Sequence, residues 1–171
     1  ITRGAEQPLN AKLHAETGSF STQRRGFSVD AVQGDFSVRL GVSDIETDGD
    51  NISRTGDEKD GYENTSVNLK AGYTATESLT LSLSARQSDG MNEFDSDDDF
   101  DGFVEDQDRV SEFRNSTVGI QANYVAADGR WQHKLLVAQS KHDNEAFASG
   151  VKGNITASTK DQYQYIGSMF W

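Results

Sequence analysis

Residues 67–73 read Val67-Asn68-Leu69-Lys70-Ala71-Gly72-Tyr73, and after a short polar break residues 79–86 read Leu79-Thr80-Leu81-Ser82-Leu83-Ser84-Ala85-Arg86. Every second residue is apolar in both segments, and the residues between are polar, charged or glycine. A period of two places the apolar side chains on one face of an extended strand and the rest on the other. A helix would scatter the same residues around its axis. The pair therefore predicts two strands joined by a tight reversal over 75–78. The same alternation recurs at Phe36, Val38, Leu40 and Val42 upstream and at Val118, Ile120, Ala122 and Tyr124 downstream. Shorter matches at Ala11 to Ala15, Phe27 to Ala31, Trp131 to Val137 and Tyr163 to Trp171 bring the candidates to eight. No stretch of comparable length has a 3.6-residue period, so the chain reads as all-β.

The connections alternate in length. Tight reversals are expected at Gly34-Asp35, Ala75 to Ser78 and Ala126 to Gly129, and long polar segments over roughly 46–62, 89–110 and 142–158. The first reversal, Gly18 to Thr22, falls on the long side yet is short. Length allows about one domain of 171 residues. Leu, Ile, Val and Phe total 35, about a fifth of the chain, which is too few for a large apolar core. A soluble sandwich with one solvated face is the plainest alternative. It predicts no systematic inequality of loops, whereas an antiparallel up-and-down transmembrane β-barrel predicts alternating strands, short turns on one rim, long loops on the other and a polar interior. Asp30, Arg39, Asn68, Lys70, Arg86 and Gln121 would then line that interior. No apolar run approaches a transmembrane helix, no leader is recognisable, and the missing initiator Met suggests an excised part of a longer protein.

Charge is concentrated in one place. Asp89 to Glu112 holds eleven acidic residues and one basic, Arg109, which accounts for −10 of the net −12. The body is nearly neutral, and nucleic acid is not an expected partner, because phosphate binding needs the opposite sign. The absence of cysteine removes disulfides, thiolate metal sites and thiol nucleophiles. His14, His133 and His142 have no spacing that pairs them as ligands on one strand face, and no nucleophile, base and orienting acid assemble, so an enzyme is not expected.

Within the acidic segment, Asp97 to Asp108 places Asp97, Asp99 and Asp101 at positions 1, 3 and 5 of a twelve-residue loop. Gly102 is at 6, Val104 at 8, Glu105 at 9 and Asp108 at 12. That spacing turns alternate oxygens toward one hard cation, and Ca²⁺ is the expected ion. It departs from the helix–loop–helix calcium motif in having Asp at 12 and no flanking helices. A solvated acidic loop is the alternative.

The order of features resembles the TonB-dependent outer-membrane receptors, most closely their vitamin B12 (cobalamin) transporter branch. The opening Ile1-Thr2-Arg3 is similar to the end of the segment joining plug to barrel. The Gly18 to Thr22 reversal, the Gly34-Asp35 turn and Asp60-Gly61-Tyr62 before the fourth strand then follow in the family's order. The resemblance implies that residues 1–171 are the N-terminal barrel strands, a fragment of about eight, with the plug domain and remaining strands absent. It implies a bacterial outer-membrane location and contact with outer-membrane lipid. It implies uptake of a small-molecule nutrient such as cobalamin, or a siderophore instead, driven by a TonB-type energy-coupling protein through the absent plug. It also implies calcium held by the loops after the third and fifth strands. Asp50, Glu58 and Asp60 would contribute from the first, and Asp95, after Phe94, and Asp108, before Arg109, from the second. Two other readings are a self-contained eight-stranded barrel and a calcium-dependent surface interaction module.

Overall fold

A computed structural model describes residues 8–53, 55–126 and 129–171. Ile1-Thr2-Arg3, and Ala127 and Asp128 of the third tight reversal, lie outside them. The described residues form eight antiparallel strands in sequence order, β1 (Leu9–Thr17), β2 (Gln23–Gln33), β3 (Phe36–Thr47), β4 (Tyr62–Thr76), β5 (Leu79–Glu93), β6 (Arg109–Ala126), β7 (Trp131–Ala148) and β8 (Val151–Met169). Each pairs only with its neighbours, in one open up-and-down sheet. The short turns work as their residues require. Gly34 takes a left-handed φ of 57° between β2 and β3, and Phe20 and Ser21 do the same between β1 and β2, where Gly18 N donates to Thr22 O at 2.9 Å.

One expectation is corrected. Residues 142–158 are not a long loop: β7 and β8 run through them and turn at Ser149-Gly150. Backbone pairing needs no apolar side chain, so a ladder such as His142↔Ser158 and Asn144↔Thr156 carries no alternation to read. The Glu145–Lys152 ion pair at 2.6 Å closes the top of this hairpin. The other two long connections are real but shorter than expected, 48–61 and 94–108, because β3, β5 and β6 extend into them.

Burial is inverted relative to a water-soluble domain. Among the described residues no apolar side chain is buried, and the buried side chains with polar groups are Asp30, Ser66 and Ser88, 6%, 5% and 7% exposed. Leu13 is 86% exposed and Tyr163 77%. Asp30, Arg39, Asn68, Lys70, Arg86 and Gln121 do share the polar face, because the ladder sets Asp30 opposite Arg39, Arg39 opposite Lys70 and Asn68 opposite Arg86. Arg39 Nε lies 3.0 Å from Asp30 Oδ1 as an ion pair, although that buried oxygen has no hydrogen-bond partner, and Ser66 Oγ donates to Ser88 Oγ at 3.0 Å.

From β3 to β8 the apolar face is a belt of constant width that crosses the ladder at a slant, whereas on β2 it narrows to Phe27, Val29 and Ala31 between Arg25 and Gln33. On β3 and β4 it runs from Val42 and Val67 to Phe36 and Tyr73, four residues on that face in each strand. On β5 and β6 it runs from Ala85 and Val118 to Leu79 and Tyr124. Both of its limits are two residues lower there, since Val67 pairs with Gln87 and Tyr73 with Leu81. On β7 and β8 it runs from Val137 and Tyr163 to Trp131 and Met169, two residues lower again, with His133 and Gly167 as its exceptions. A fall of one residue per strand, at ~3.4 Å per residue and ~4.8 Å between strands, tilts the strands by about 35° from the belt normal. Six residue steps from limit to limit, along strands tilted by that angle, make the belt about 17 Å tall between its limiting Cα atoms. Its lower rim is aromatic: Phe36 stacks on Tyr73 with ring centroids 4.5 Å apart, and His133 stacks with Tyr124, Trp131 and Tyr165.

Candidate metal centre

The 48–61 and 94–108 connections rise side by side from β3–β4 and β5–β6, and polar contacts stitch them together. Asn51 Nδ2 donates to Asp106 Oδ1 at 3.5 Å, Ser53 Oγ to Val104 O at 3.3 Å, and Gly61 N to Glu93 Oε2 at 2.9 Å. Gly56 is the tightest point, with φ of 91°, and a Cβ there would fall 1.3 Å from Asp106 Oδ2. Only glycine combines that dihedral with that approach. Gly56→Ala is therefore expected to part the loops, read as faster amide exchange and proteolysis confined to 48–61 and 94–108 with the strand ladder unchanged.

Between the loops, carboxylates face one another. Glu58 is held above its ordinary 4.5 by loss of surrounding water, then by the charges of Asp108, Asp106, Glu93 and Asp95. Asp60 is held above 3.8 by burial first and then by Asp95, against a backbone hydrogen bond from Ile52 that lowers it, with Asp106 and Glu93 adding to the rise. Asp60 Oδ2 and Asp95 Oδ2 are buried without a hydrogen-bond partner, while Asp95 Oδ1 accepts from Gln107 N at 2.9 Å. Buried anionic oxygens that have lost water and gained no donor are costly unless a cation supplies the missing charge. The oxygen-only donor set, drawn from two loops, suits a hard divalent ion of high coordination number.

The eight residues expected from the sequence separate in space. Glu58, Asp60, Asp95 and Asp108 meet in this basin. Asp97, Asp99 and Asp101 form a second group at the exposed tip, their nearest oxygens within 4.8 Å of one another. Asp50 is fixed through its backbone, its carbonyl accepting from Asp60 N at 3.4 Å. The twelve-residue spacing does not close around one point, because the Ser96↔Glu105 bridge pinches the tip into a small hairpin. Asp108, at position 12, acts on Glu58 across the loops. The tip carboxylates are occupied locally: Asp97 accepts from Asp101 N at 3.1 Å and Gly102 N at 2.9 Å, and Asp101 from Phe103 N at 2.8 Å. Asp98, alongside, is held below the ordinary range by the Ser96 hydroxyl, then by Gln107 and Arg109. Two basin residues were missed, Glu93 and Asp106. The signal for Glu93 was its place just before Phe94-Asp95 at a strand end, and no spacing rule marks Asp106.

No protein-family model matches the chain, and no curated protein matches it.

Proposed function

We propose that the chain is part of the wall of a TonB-dependent outer-membrane receptor, with the slanted belt against lipid and the 48–61 and 94–108 loops on the outside, ordered by calcium. The slant carries the reading. An amphipathic sheet folded onto a soluble partner has no reason to displace its apolar limits by one residue at each strand. A barrel whose strands lean ~35–45° in a bilayer must do so to keep the belt level, and its apolar band is ~25 Å tall with an aromatic girdle. The exposed apolar side chains and the polar, internally bonded opposite face support the same orientation. The nutrient is a cobalamin, captured by the loops and admitted through the barrel by an energy-coupled plug, with no covalent chemistry.

The lack of native cysteine makes the orientation testable by single substitutions. In phosphatidylcholine vesicles, Leu83→Cys and Ile120→Cys are expected to resist a water-soluble maleimide while Thr55→Cys reacts. Equal labelling at all three sinks the barrel wall. Cells carrying the complete receptor are expected to retain cobalamin only with calcium present, and uptake of a siderophore instead would overturn the nutrient assignment.

A further inference from the structure

The apolar face is not smooth: a groove of about 530 Å³ crosses it from β2 to β6. Ala31 and Ala71 flank Val38 on the ladder and keep the groove open, and the stacked rings of Phe36 and Tyr73 wall its lower side. Ala71 pairs with Leu83, and Leu83 with Ile120, so two large side chains close its far end. Polarity then changes in steps toward the short turns. Gln33 pairs with Phe36 and brings an amide donor to the lower end of the groove. Asp35 lies one residue below Phe36, and its carbonyl accepts from Thr74 N at 2.9 Å, which ties the β2–β3 turn to β4 beside Tyr73. Glu77 occupies the next turn, between Thr76 and Leu79. Both carboxylates are exposed, and neither turn contains a Lys or Arg.

We infer that this groove seats one acyl chain of a phospholipid with an ammonium headgroup, as in phosphatidylethanolamine, and that Asp35 and Glu77 receive the ammonium. Such a lipid runs in the order tail, phosphate, ammonium. The surface runs in the same order: apolar groove, the Gln33 amide donor, then the two carboxylates of the turns. An anionic headgroup would set its charge against both carboxylates with no base in either turn to offset it. Pockets of ~300–1,000 Å³ hold one small molecule or chain, so this one suits a single tail better than the face of a second sheet. A chain lying in the groove also gains close contacts on several sides, which a tail against a flat belt lacks. The groove and its two turns rest on the sheet and its register; that a bilayer surrounds them rests on the receptor reading.

The test is native mass spectrometry of the full chain released from detergent micelles that carry equal amounts of dipalmitoyl phosphatidylethanolamine and dipalmitoyl phosphatidylglycerol, after its β-sheet signal has been established by circular dichroism. A single phosphatidylethanolamine is expected to stay bound, favoured about two- to fivefold over phosphatidylglycerol, the preference that exposed ion pairs give. Ala71→Phe, or Ala31→Leu should the first variant not fold, fills the groove and is expected to lower retention of both lipids at least about tenfold, because two or more methylenes of the chain lose their seat. Asp35→Asn with Glu77→Gln is expected to keep the lipid and equalise the two headgroups. Val137→Phe, in the belt on β7 outside the groove, is expected to change nothing. Retention that is absent, indifferent to filling the groove, or lowered equally by Val137→Phe overturns the site, as does a dimer formed through the groove in place of lipid. A preference for phosphatidylglycerol, or one for phosphatidylethanolamine that survives loss of both carboxylates, overturns the headgroup assignment. Failure of the chain to enter lipid vesicles would sink the receptor reading and leave the micelle measurement intact.

Discussion

Arginine in place of Leu81 is expected to lower the stability of the lipid-inserted sheet by about 2–4 kcal/mol, the cost of a cation near the bilayer midplane on the lipid face of a barrel. Leu81 is one of the four belt residues of β5, between Leu79 and Leu83, and is level with Tyr73 and Ala122 on the flanking strands. No acidic residue shares its level there to pair with an introduced guanidinium. Ser82, one residue on, points to the polar face opposite Gly72 and Gln121. Ser82→Arg is expected to cost little, because water and polar side chains receive the charge. A loss of 3 kcal/mol is roughly a hundredfold in the folding equilibrium, well within the range of urea titrations in phosphatidylcholine vesicles followed by tryptophan fluorescence. Equal tolerance at the two sites would reject the facing of the belt, and a larger loss at Ser82 would reverse it.

The belt was legible in the sequence because hydrophobic alternation is a signature of position against an apolar medium. Val67 to Tyr73 and Leu79 to Ala85 both announce their faces, and all eight strands were located by such matches. Alternation falls silent where neither face meets an apolar medium. The upper halves of β7 and β8 are polar on both sides, and they read as a loop although their backbones pair nearly to the turn. The slant itself lay beyond a strand-by-strand reading, since it exists only once register ties Val67 to Gln87 and Val118 to Gln139.

The candidate metal centre divides along the same line. The local spacing of Asp97, Asp99 and Asp101 was readable, and these residues do gather, because Asx-type bonds to the amides of 101–103 are set by neighbours in sequence. The basin depends on contact between loops about fifty residues apart, made through Gly56, Asn51 and Ser53, and no spacing within one loop encodes it. The resemblance to cobalamin receptors supplied four of its members, and the geometry adds Glu93 and Asp106.

Asp60→Asn with Asp95→Asn is expected to abolish tight calcium binding, whereas Asp97→Asn, Asp99→Asn and Asp101→Asn together are expected to weaken it only several-fold. Asparagine keeps the shape of both basin side chains and removes the charge, and the oxygens affected include the two in the basin that burial leaves without a donor. Each such loss costs more than about tenfold where ligand and field are both reduced. The tip carboxylates already accept backbone amides, so fewer lone pairs remain for an ion. Because Asp60 and Asp95 come from different loops, the ion also fastens the loops together, and its removal is expected to increase exchange across 48–61 and 94–108. The pH dependence has opposite signs in the two states. Without the ion, docking the loops raises the affinities of Glu58 and Asp60 for protons, so that docking is favoured below their ordinary values of 4.5 and 3.8 and loses this advantage as pH climbs through the raised values. Calcium would require the ionised carboxylates and expel those protons, so calcium-loaded loops are expected to be firm at neutral pH and to release the ion on acidification. Magnesium, which keeps a strict octahedral shell of waters, is expected to compete poorly for a site spanning two loops. Isothermal titration with calcium at neutral and acidic pH, beside amide exchange of the same samples, checks both signs. Strong retention in the basin pair, with loss in the tip triple, would transfer the ion to Asp97, Asp99 and Asp101.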